Sequence, residues 1–234
     1  MPNICYCCKE KELQENHIIC IDCLSKINPI LDPSCEKCGY PLYDNTFLGK
    51  VRNFLCHECE ISKRNFHLAC SAFEYNELAR KIVLDFKFHY NTQIIKFVAS
   101  SIAKKVKNKK QKIDIVCIVP SSKNKVIKKG FCHTALLGIE IAKLYPDAKY
   151  LPDLLLQKNI DSKSQKGLTY HERMAKKHNF TLNNKYIDII QNTNILLIDD
   201  VITTCSTIQA CCRELKKLKK CKVIAASFAR TILY

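Results

Sequence analysis

Four C-x-x-C pairs lie within the first sixty residues, and they constrain the fold of this chain more than any other feature. The pairs are Cys5/Cys8, Cys20/Cys23, Cys35/Cys38 and Cys56/Cys59. Cysteines at this spacing are typical ligands of tetrahedral zinc, and eight thiolates are enough for two closed sites. The sequence therefore predicts two structural zinc ions in an N-terminal zinc-ribbon module, residues 1–64, with four cysteines around each ion.

The order in which the pairs combine follows less directly from spacing. Eleven residues separate the first two pairs and seventeen separate the last two, which favours sequential pairing. An interleaved arrangement, in which Cys5/Cys8 join Cys35/Cys38, stays open because every gap is long enough to permit it. Either way, a segment this short with few long apolar stretches is expected to need its metal to fold.

The rest of the chain, residues 65–234, alternates helical and strand patterns. Apolar residues recur at helical spacing in several segments, and short apolar runs typical of buried parallel strands lie between them. The predicted helices cover 77–88, 92–106, 132–145 and 206–220, and the predicted strands cover 114–120, 194–199 and 222–230. This alternation predicts an α/β fold with a parallel sheet flanked by helices. Residues 150–190 are less periodic and are predicted to form an excursion from the sheet.

Charge indicates the kind of partner. The chain has 38 basic and 22 acidic residues, a formal net charge of +16, and six lysines between positions 104 and 112. An excess of this size favours polyanions, and we expect nucleic acid, as single-stranded DNA, among the partners. No stripe of aromatic residues accompanies the lysines, which weakens the single-strand interpretation.

Location is predicted from what the sequence does not contain. The N-terminal segment "MPNICYCCKEKE" has no basic and then apolar signal pattern, and no apolar run approaches the roughly 18 residues of a membrane span. Sixteen cysteines without an export signal indicate metal binding and free thiols rather than disulfides. We expect a cytoplasmic protein without a membrane span.

The segment "ILLIDDVITTCST", residues 195–207, carries the chemistry. An apolar run ends in Asp199 and Asp200, which predicts two acids at the exposed carboxyl end of a parallel strand, where such sheets bind ligands. The hydroxyl residues and backbone amides of 203–207 then open a helix and could surround a phosphate. The alternative is an ordinary helix N-terminus preceded by two exposed acids. Neither a P-loop nor a dinucleotide-binding glycine pattern occurs in the chain.

The same segment resembles the phosphoribosyl pyrophosphate (PRPP) motif of type I phosphoribosyltransferases. Together with "YNELARKIVLDFKF", "IVPSSKNKVIKKGF" and "SQKGLTYHER", in that order, it makes nearly the whole chain similar to the ComF family. That family is associated with bacterial competence and DNA uptake. The resemblance implies a type I phosphoribosyltransferase-like domain that follows the zinc ribbons and binds PRPP with Mg²⁺.

The resemblance also implies roles for individual residues. Asp199 and Asp200 would hold the ribose hydroxyls and Mg²⁺, and Lys129 and Arg173 would meet phosphates. The remaining binding residues divide between the 5′-phosphate and the pyrophosphate side: Thr203, Thr204, Cys205, Ser206 and Thr207 for the first, and Ser121, Ser122 and Lys123 for the second. The family usually has Arg-Gly-Phe-Asn-Gln at residues 129–133 and Gly at position 205, where this chain reads KGFCH and Cys.

Two functions remain open at this point. One is a Mg²⁺-dependent phosphoribosyltransferase, a pentosyl-transferring enzyme, that acts in natural transformation by handling incoming DNA. The other is a non-catalytic competence factor that uses the same fold to bind DNA or a partner such as a competence helicase. A shared fold does not separate an enzyme from a scaffold, and the sequence names no acceptor for a ribosyl group.

Overall fold

The computed structural model describes residues 4–13, 17–42, 54–89, 91–121, 127, 130–157, 179–218 and 220–232. Two short helices belong to the cysteine-rich part, α1 (Ile21–Lys26) and α2 (His57–Ile61). The elements that follow are β1 (Leu68–Glu74), α3 (Glu77–Phe88), α4 (Thr92–Asn108), β2 (Ile115–Ile118), α5 (His133–Ala142), β3 (Lys149–Tyr150), β4 (Leu155–Gln157), β5 (Phe180–Leu182), β6 (Asn194–Ile202), α6 (Ser206–Leu215) and β7 (Lys222–Arg230).

Five of these strands form one parallel sheet in the order β1-β7-β6-β2-β3. Strands β6 and β7 lie at its centre, and their residues are buried on both faces because helices cover the sheet from both sides. The predicted α/β fold with a parallel sheet flanked by helices is therefore confirmed. Within the described ranges, no helix has the length and apolarity needed to cross a membrane.

The helices α3 and α4 begin where their sequence signals place them. Asn76 accepts a hydrogen bond from the Ala79 amide at the start of α3, and Asn91 accepts from the second and third amides of α4. The predicted apolar face of α4 is fully buried, with Ile94, Val98, Ile102 and Val106 each at 0% exposure. These two helices pack with α5 on one face of the sheet, and α6 packs on the other.

Two strands lie partly or wholly outside the sequence prediction. The periodicity did not predict β1, because six of its seven residues are buried and it shows no alternation of polar and apolar positions. Strand β6 was predicted to end at residue 199, yet it continues to Ile202 in register with β7. The excursion at 150–190 contributes the antiparallel pair β4 and β5 within its described residues, and 158–178 lie outside them.

The cysteine-rich segments cover the outer edge of β1. The Ile30 amide donates to the Ala72 carbonyl at 3.0 Å, the Glu74 amide donates to the Asn28 carbonyl, and the Ala69 amide donates to the Lys37 carbonyl. Because β1 has β7 on only one side, these bonds occupy backbone groups that would otherwise face solvent. The predicted boundary between residues 64 and 65 stays a prediction, although many contacts cross it.

The two cysteine clusters belong to opposite faces of the sheet. Cys5, Cys20 and Cys23 pack into the core that contains α3 and α4, and Tyr6 donates a hydrogen bond to Asp85 of α3. Cys35 and Cys38 pack into the other core, which contains α6. The N-terminal segment thus wraps around the β1 edge and places one cluster on each side.

Candidate functional site

The four cysteine pairs combine sequentially. The sulfur atoms of Cys5, Cys8, Cys20 and Cys23 lie within 4.8 Å of one another, and so do those of Cys35, Cys38, Cys56 and Cys59. Sequential pairing is therefore confirmed, and the interleaved alternative is wrong. Tetrahedral zinc with bonds of about 2.3 Å places its sulfur ligands about 3.8 Å apart, so both clusters fit a zinc ion.

Both clusters are built in the same way from local structure. The first pair of each lies on a tight turn, in which the Lys9 and Gly39 amides donate to the carbonyls of Cys5 and Cys35. Lys9 and Gly39 have φ values of 62° and 71°, which close these turns. The second pair of each begins a short helix, α1 or α2.

We expect purified protein to contain about two zinc ions per chain, because each closed four-thiolate cluster holds one. Elemental analysis of protein prepared with and without added zinc measures this content. Cys7 lies between the ligands Cys5 and Cys8 but belongs to neither cluster. A Cys7→Ser variant should therefore also contain about two, and a wild-type content of one would contradict the assignment.

The acid pair occupies the carboxyl-terminal part of β6, two residues before the strand ends. Consecutive strand residues point to opposite faces, so Asp200 faces α3 and α5 while Asp199 shares the face of Ile195 and Leu197. Asp200 is only 8% exposed. The prediction that both acids lie at an exposed strand end is therefore wrong for Asp200, because β6 continues past it and helices cover it.

Asp200 is held by two basic side chains. Lys87 Nζ lies 2.6 Å from Asp200 Oδ2, and His133 Nε2 lies 3.1 Å from the same oxygen. Lys87 belongs to the last turn of α3, and His133 begins α5 and contacts the ring of Phe86. The last turn of α3 and the first turn of α5 thus each place a basic side chain against the carboxylate of Asp200.

The two acids differ in their protonation. Burial and the neighbouring negative charge of Asp200 raise the pKa of Asp199 above its usual range. Burial would also raise the pKa of Asp200, but the hydrogen bond from His133 and the charge of Lys87 lower it further, and the net shift is downward. Near neutral pH the pair therefore carries one ionised carboxylate and one that retains its proton.

The hydroxyl-rich loop follows β6 directly and opens α6. Thr203, Thr204 and Ser206 are exposed, and the first turn of α6 contains no acidic residue. The positive end of this helix is therefore not neutralised by its own sequence. A phosphate at the loop would meet hydroxyl groups and the backbone amides that begin the helix. Thr207 is half-buried at the second position of the helix.

Cys205 stands at the turn between the loop and α6. Its backbone has φ 64° and ψ 6°, the left-handed region that favours glycine, which a residue with a Cβ occupies at a cost of about 1 kcal/mol or more. Its carbonyl accepts from the Gln209 amide at 2.8 Å. The side chain is 3% exposed and points inward, so the thiol itself is not on the surface that would meet a phosphate.

A cleft of about 500 Å³ lies at the carboxyl end of β2, the strand that pairs with β6. Ser121 and Cys132 line it, together with residues of β4 and β5. Its lining is mostly apolar. Four predicted site residues, Ser122, Lys123, Lys129 and Arg173, lie outside the described residues.

The sequence did not identify Lys87 and His133 as functional residues. Lys87 lies in the "DFKF" segment, whose pattern indicated only an amphipathic helix. His133 stands where the family that the chain resembles usually has Gln. Lys87 lies 113 residues before Asp200 in the sequence, and His133 lies 67 residues before it. Their contacts with Asp200 therefore could not be predicted from local patterns.

Comparisons with known proteins agree with this architecture. The family description "Double zinc ribbon domain" matches residues 1–60, which contain both cysteine clusters. The chain is also 26% identical over 222 residues to "Competence protein ComFC" of Bacillus subtilis (strain 168). That similarity covers 92% of this chain and 84% of the relative, so it includes both the zinc segments and the sheet. The chain is thus similar over nearly its whole length to a ComF protein.

The acid pair and the hydroxyl loop lie in the part of the chain that the double zinc ribbon match does not cover. The match ends at residue 60 and β1 begins at Leu68, so it stops just before the sheet begins. The similarity to the Bacillus protein continues through the sheet. That similarity therefore includes both the zinc-binding segment and the sheet.

Proposed function

We propose that this protein binds PRPP with Mg²⁺ at the carboxyl end of β6 and acts in natural transformation, in the cytoplasmic handling of incoming DNA. The observation that carries the PRPP proposal is the arrangement around β6. An ionised Asp200 lies just before a loop of exposed hydroxyls, and that loop opens a helix with no acid in its first turn. The transformation context rests on the similarity to a relative named as a competence protein.

In this proposal, different residues of the site bind different parts of PRPP. The loop at 203–207 would hold the 5′-phosphate, and the oxygens of Asp199 and Asp200 would meet the ribose hydroxyls and Mg²⁺. Carboxylate oxygens are ligands that Mg²⁺ prefers, so the donor set fits the ion. Ser121 lines the cleft at the carboxyl end of β2 and would contact the pyrophosphate side. Lys87 pairs with Asp200 Oδ2 and would compete with the metal for this carboxylate.

A transferase reaction would take place at the same site. In pentosyl transfer, the bond from ribose C1 to pyrophosphate breaks, and the pyrophosphate leaves with the electron pair while an acceptor bonds to C1. Positive charge that develops on the ribose would be stabilised by Asp200. The mostly apolar cleft is large enough for a planar acceptor. The enzymatic step is proposed on this ground, and the acceptor is identified only as a nucleophile that fits the cleft.

The test of PRPP binding uses the protonated state of Asp199. Because its pKa is raised, Asp199 holds a proton near neutral pH, and a metal complex that needs the carboxylate must displace that proton. We expect PRPP already saturated with Mg²⁺ to release about one proton or less on binding, and its affinity to rise with pH until Asp199 is ionised. Calorimetry in two buffers of different ionisation enthalpy measures the release.

An Asp199→Asn variant is the control for this measurement, because it removes the titrating group and leaves Asp200 in place. Proton release and the pH dependence of affinity should both become smaller in the variant. Wild-type protein that shows no heat with PRPP and Mg²⁺ would reject PRPP binding. Binding with an equal proton release in both proteins would reject the role of Asp199.

The second candidate is a non-catalytic factor that binds DNA or a competence helicase, and the lysine-rich end of α4 favours DNA. Lys104, Lys107 and Lys110 are exposed there. Lys105 instead donates to the Ile30 carbonyl, and Lys109 pairs with Asp32, so α4 is attached to the zinc-binding segment. Exposed lysines beside a metal-stabilised segment form a surface that suits a phosphate backbone.

We expect single-stranded DNA to bind with little sequence preference and with an affinity that falls steeply with salt. Replacement of Lys104, Lys107 and Lys110 by Gln should reduce the slope of log affinity against log salt by roughly two, at about 0.7 per phosphate contact. The matched control replaces Lys216, Lys217 and Lys220, which removes the same charge from the second basic run. Equal effects of both triple variants would indicate net charge rather than a DNA surface at α4.

A further inference from the structure

A buried guanidinium lies between the second cysteine cluster and the hydroxyl loop. Arg230 is the last residue of β7 and is 5% exposed. Its Nη1 donates to the Cys38 carbonyl at 2.8 Å and lies 3.7 Å from Cys205 Sγ. Its Nη2 lies 3.7 Å from Cys38 Sγ. One side chain therefore contacts the zinc ligand Cys38 through both terminal nitrogens and the phosphate-loop residue Cys205 through Nη1.

Charge explains why an arginine is tolerated in this position. A zinc ion with four thiolates carries a net charge of −2, and a buried cation is stabilised next to it. Arg230 also lies over the ring of Tyr40, with 5.3 Å from Cζ to the ring centroid. Arg64 is the second guanidinium at this cluster and lies beside Cys59, while Arg230 faces Cys38. Of these two guanidinium groups, that of Arg230 makes a hydrogen bond to Cys205, whereas Arg64 interacts with Cys205 through its charge.

The cluster also has little freedom to shift relative to the loop. A Cβ on Gly39, in the turn that follows Cys38, would lie 2.7 Å from the Ala69 carbonyl oxygen, so this turn lies directly against β1. On the other side, Gln209 of α6 accepts from the Asn65 amide at 2.6 Å and donates to the Lys63 carbonyl at 3.3 Å. The helix that the loop opens is thus bound to the segment that follows the zinc ligands.

We propose that the second zinc site and the 203–207 loop form one coupled unit through Arg230, so that zinc at Cys35, Cys38, Cys56 and Cys59 sets the geometry of the loop. Arg230 is a positioning residue in this unit. The first zinc site lies on the other face of the sheet and does not take part. The coupling concerns the loop itself, and only its effect on PRPP rests on the proposed function.

The physical basis of the coupling is the left-handed backbone of Cys205. This conformation costs about 1 kcal/mol or more and persists only when its surroundings hold it. The contacts that hold it are the inward-pointing thiol beside Arg230 and the hydrogen bond to Gln209. Without zinc, Cys38 is no longer fixed beside Arg230, and the guanidinium loses the partner that keeps it next to Cys205. The loop then loses one of its two restraints.

Hydrogen exchange of the zinc-loaded full chain tests the coupling without any ligand. In Arg230→Met the amides of residues 203–209 should exchange at least about 10-fold faster than in wild type, because a restraint on the loop is lost. Arg64→Met removes the same charge from the same zinc cluster, and should release zinc to a chelator faster while the exchange of 203–209 stays within about 2-fold. If the amides of 203–209 exchange at the wild-type rate in Arg230→Met, the proposal is overturned. Equal acceleration in Arg230→Met and Arg64→Met would also overturn it.

A second pair of variants covers the case in which Arg230→Met does not fold. Cys59→Ser disrupts the second zinc site and Cys8→Ser the first, and each should lower the zinc content to about one per chain. Only Cys59→Ser should accelerate exchange at 203–209, and equal acceleration by Cys8→Ser would overturn the proposal. PRPP with Mg²⁺ should bind more weakly to Cys59→Ser than to Cys8→Ser. If wild type binds no PRPP, the proposed function fails, while the exchange comparison still decides the coupling.

Discussion

Replacement of both acids of β6, as Asp199→Asn/Asp200→Asn, is expected to weaken the binding of PRPP with Mg²⁺ by roughly 100-fold or more. The two substitutions remove carboxylate oxygens that the proposed site offers to the metal and the ribose. Even residues that only support a metal's direct ligands alter metal affinity by about 10- to 100-fold. Calorimetry at fixed Mg²⁺ measures the loss. Unchanged affinity in the double variant would contradict the assignment of this site.

The matched control for this experiment is Asp114→Asn. Asp114 precedes β2, pairs with Lys112 at 2.8 Å and accepts from the Asn194 amide that begins β6. It therefore offers the same charge change in an ion pair at the opposite end of the same strands. Its PRPP affinity should remain that of wild type, and a comparable loss would indicate a general effect on the sheet.

Asp200 requires one additional measurement, because it is buried and paired. Asparagine at this position leaves the Lys87 ammonium without its carboxylate in a partly buried site, which costs about 1 to 3 kcal/mol. Thermal unfolding of each variant separates this cost from a loss of binding. Lys87→Met removes the competitor for Asp200 Oδ2, so PRPP with Mg²⁺ should bind at least as well as in wild type. Weaker binding in Lys87→Met would assign Lys87 to the ligand instead.

Removal of both zinc ions is expected to leave the protein unfolded at 25 °C. Structural zinc binding is coupled to folding, and the loss of two closed sites together is expected to exceed a total stability of about 5–15 kcal/mol. The sequence suggested that the N-terminal segment would unfold first. The structure predicts instead one cooperative transition, because the clusters belong to the two cores that also hold the sheet.

Circular dichroism during chelation and after zinc is returned measures this effect. Sheet and helix signals should be lost together as zinc leaves, and both should return when zinc is added back. Cys7→Ser provides the control, since Cys7 is not a ligand and the variant should show the wild-type behaviour. A metal-free protein that keeps its sheet signal would show that the zinc segments are separable from the fold.

Much of the architecture could be predicted because the relevant signals are local. The C-x-x-C spacing predicted both metal clusters, and the asparagines before α3 and α4, with four-residue apolar spacing, correspond to helices found in the structure. The segment 222–230 matches β7 residue for residue. In each case the ligands, the cap or the buried face lie within one or two turns of chain, so that neighbouring residues carry the signal.

The features that the sequence did not give depend on contacts between distant segments. Strand β1 is buried on both faces and contains small residues, so its pattern lacks the alternation that marks a strand. The contacts of Asp200 with Lys87 and His133 require three elements to meet, as does the position of Arg230 between Cys38 and Cys205. The length of β6 follows from its register with β7, since pairing continues past the acids.

The hydrogen bonds that the cysteine-rich segments make to β1 have a consequence for solubility. An uncovered strand edge is a template for pairing with other chains, and proteins protect such edges with loops, charges or proline. β1 reads LACSAFE, with one charged residue at its end, so its own sequence offers little protection. The metal-bound segments serve as that protection here. During synthesis, a β1 segment that these segments do not yet cover would therefore be open to pairing with other chains, and zinc supply at that stage would determine how much protein stays monodisperse.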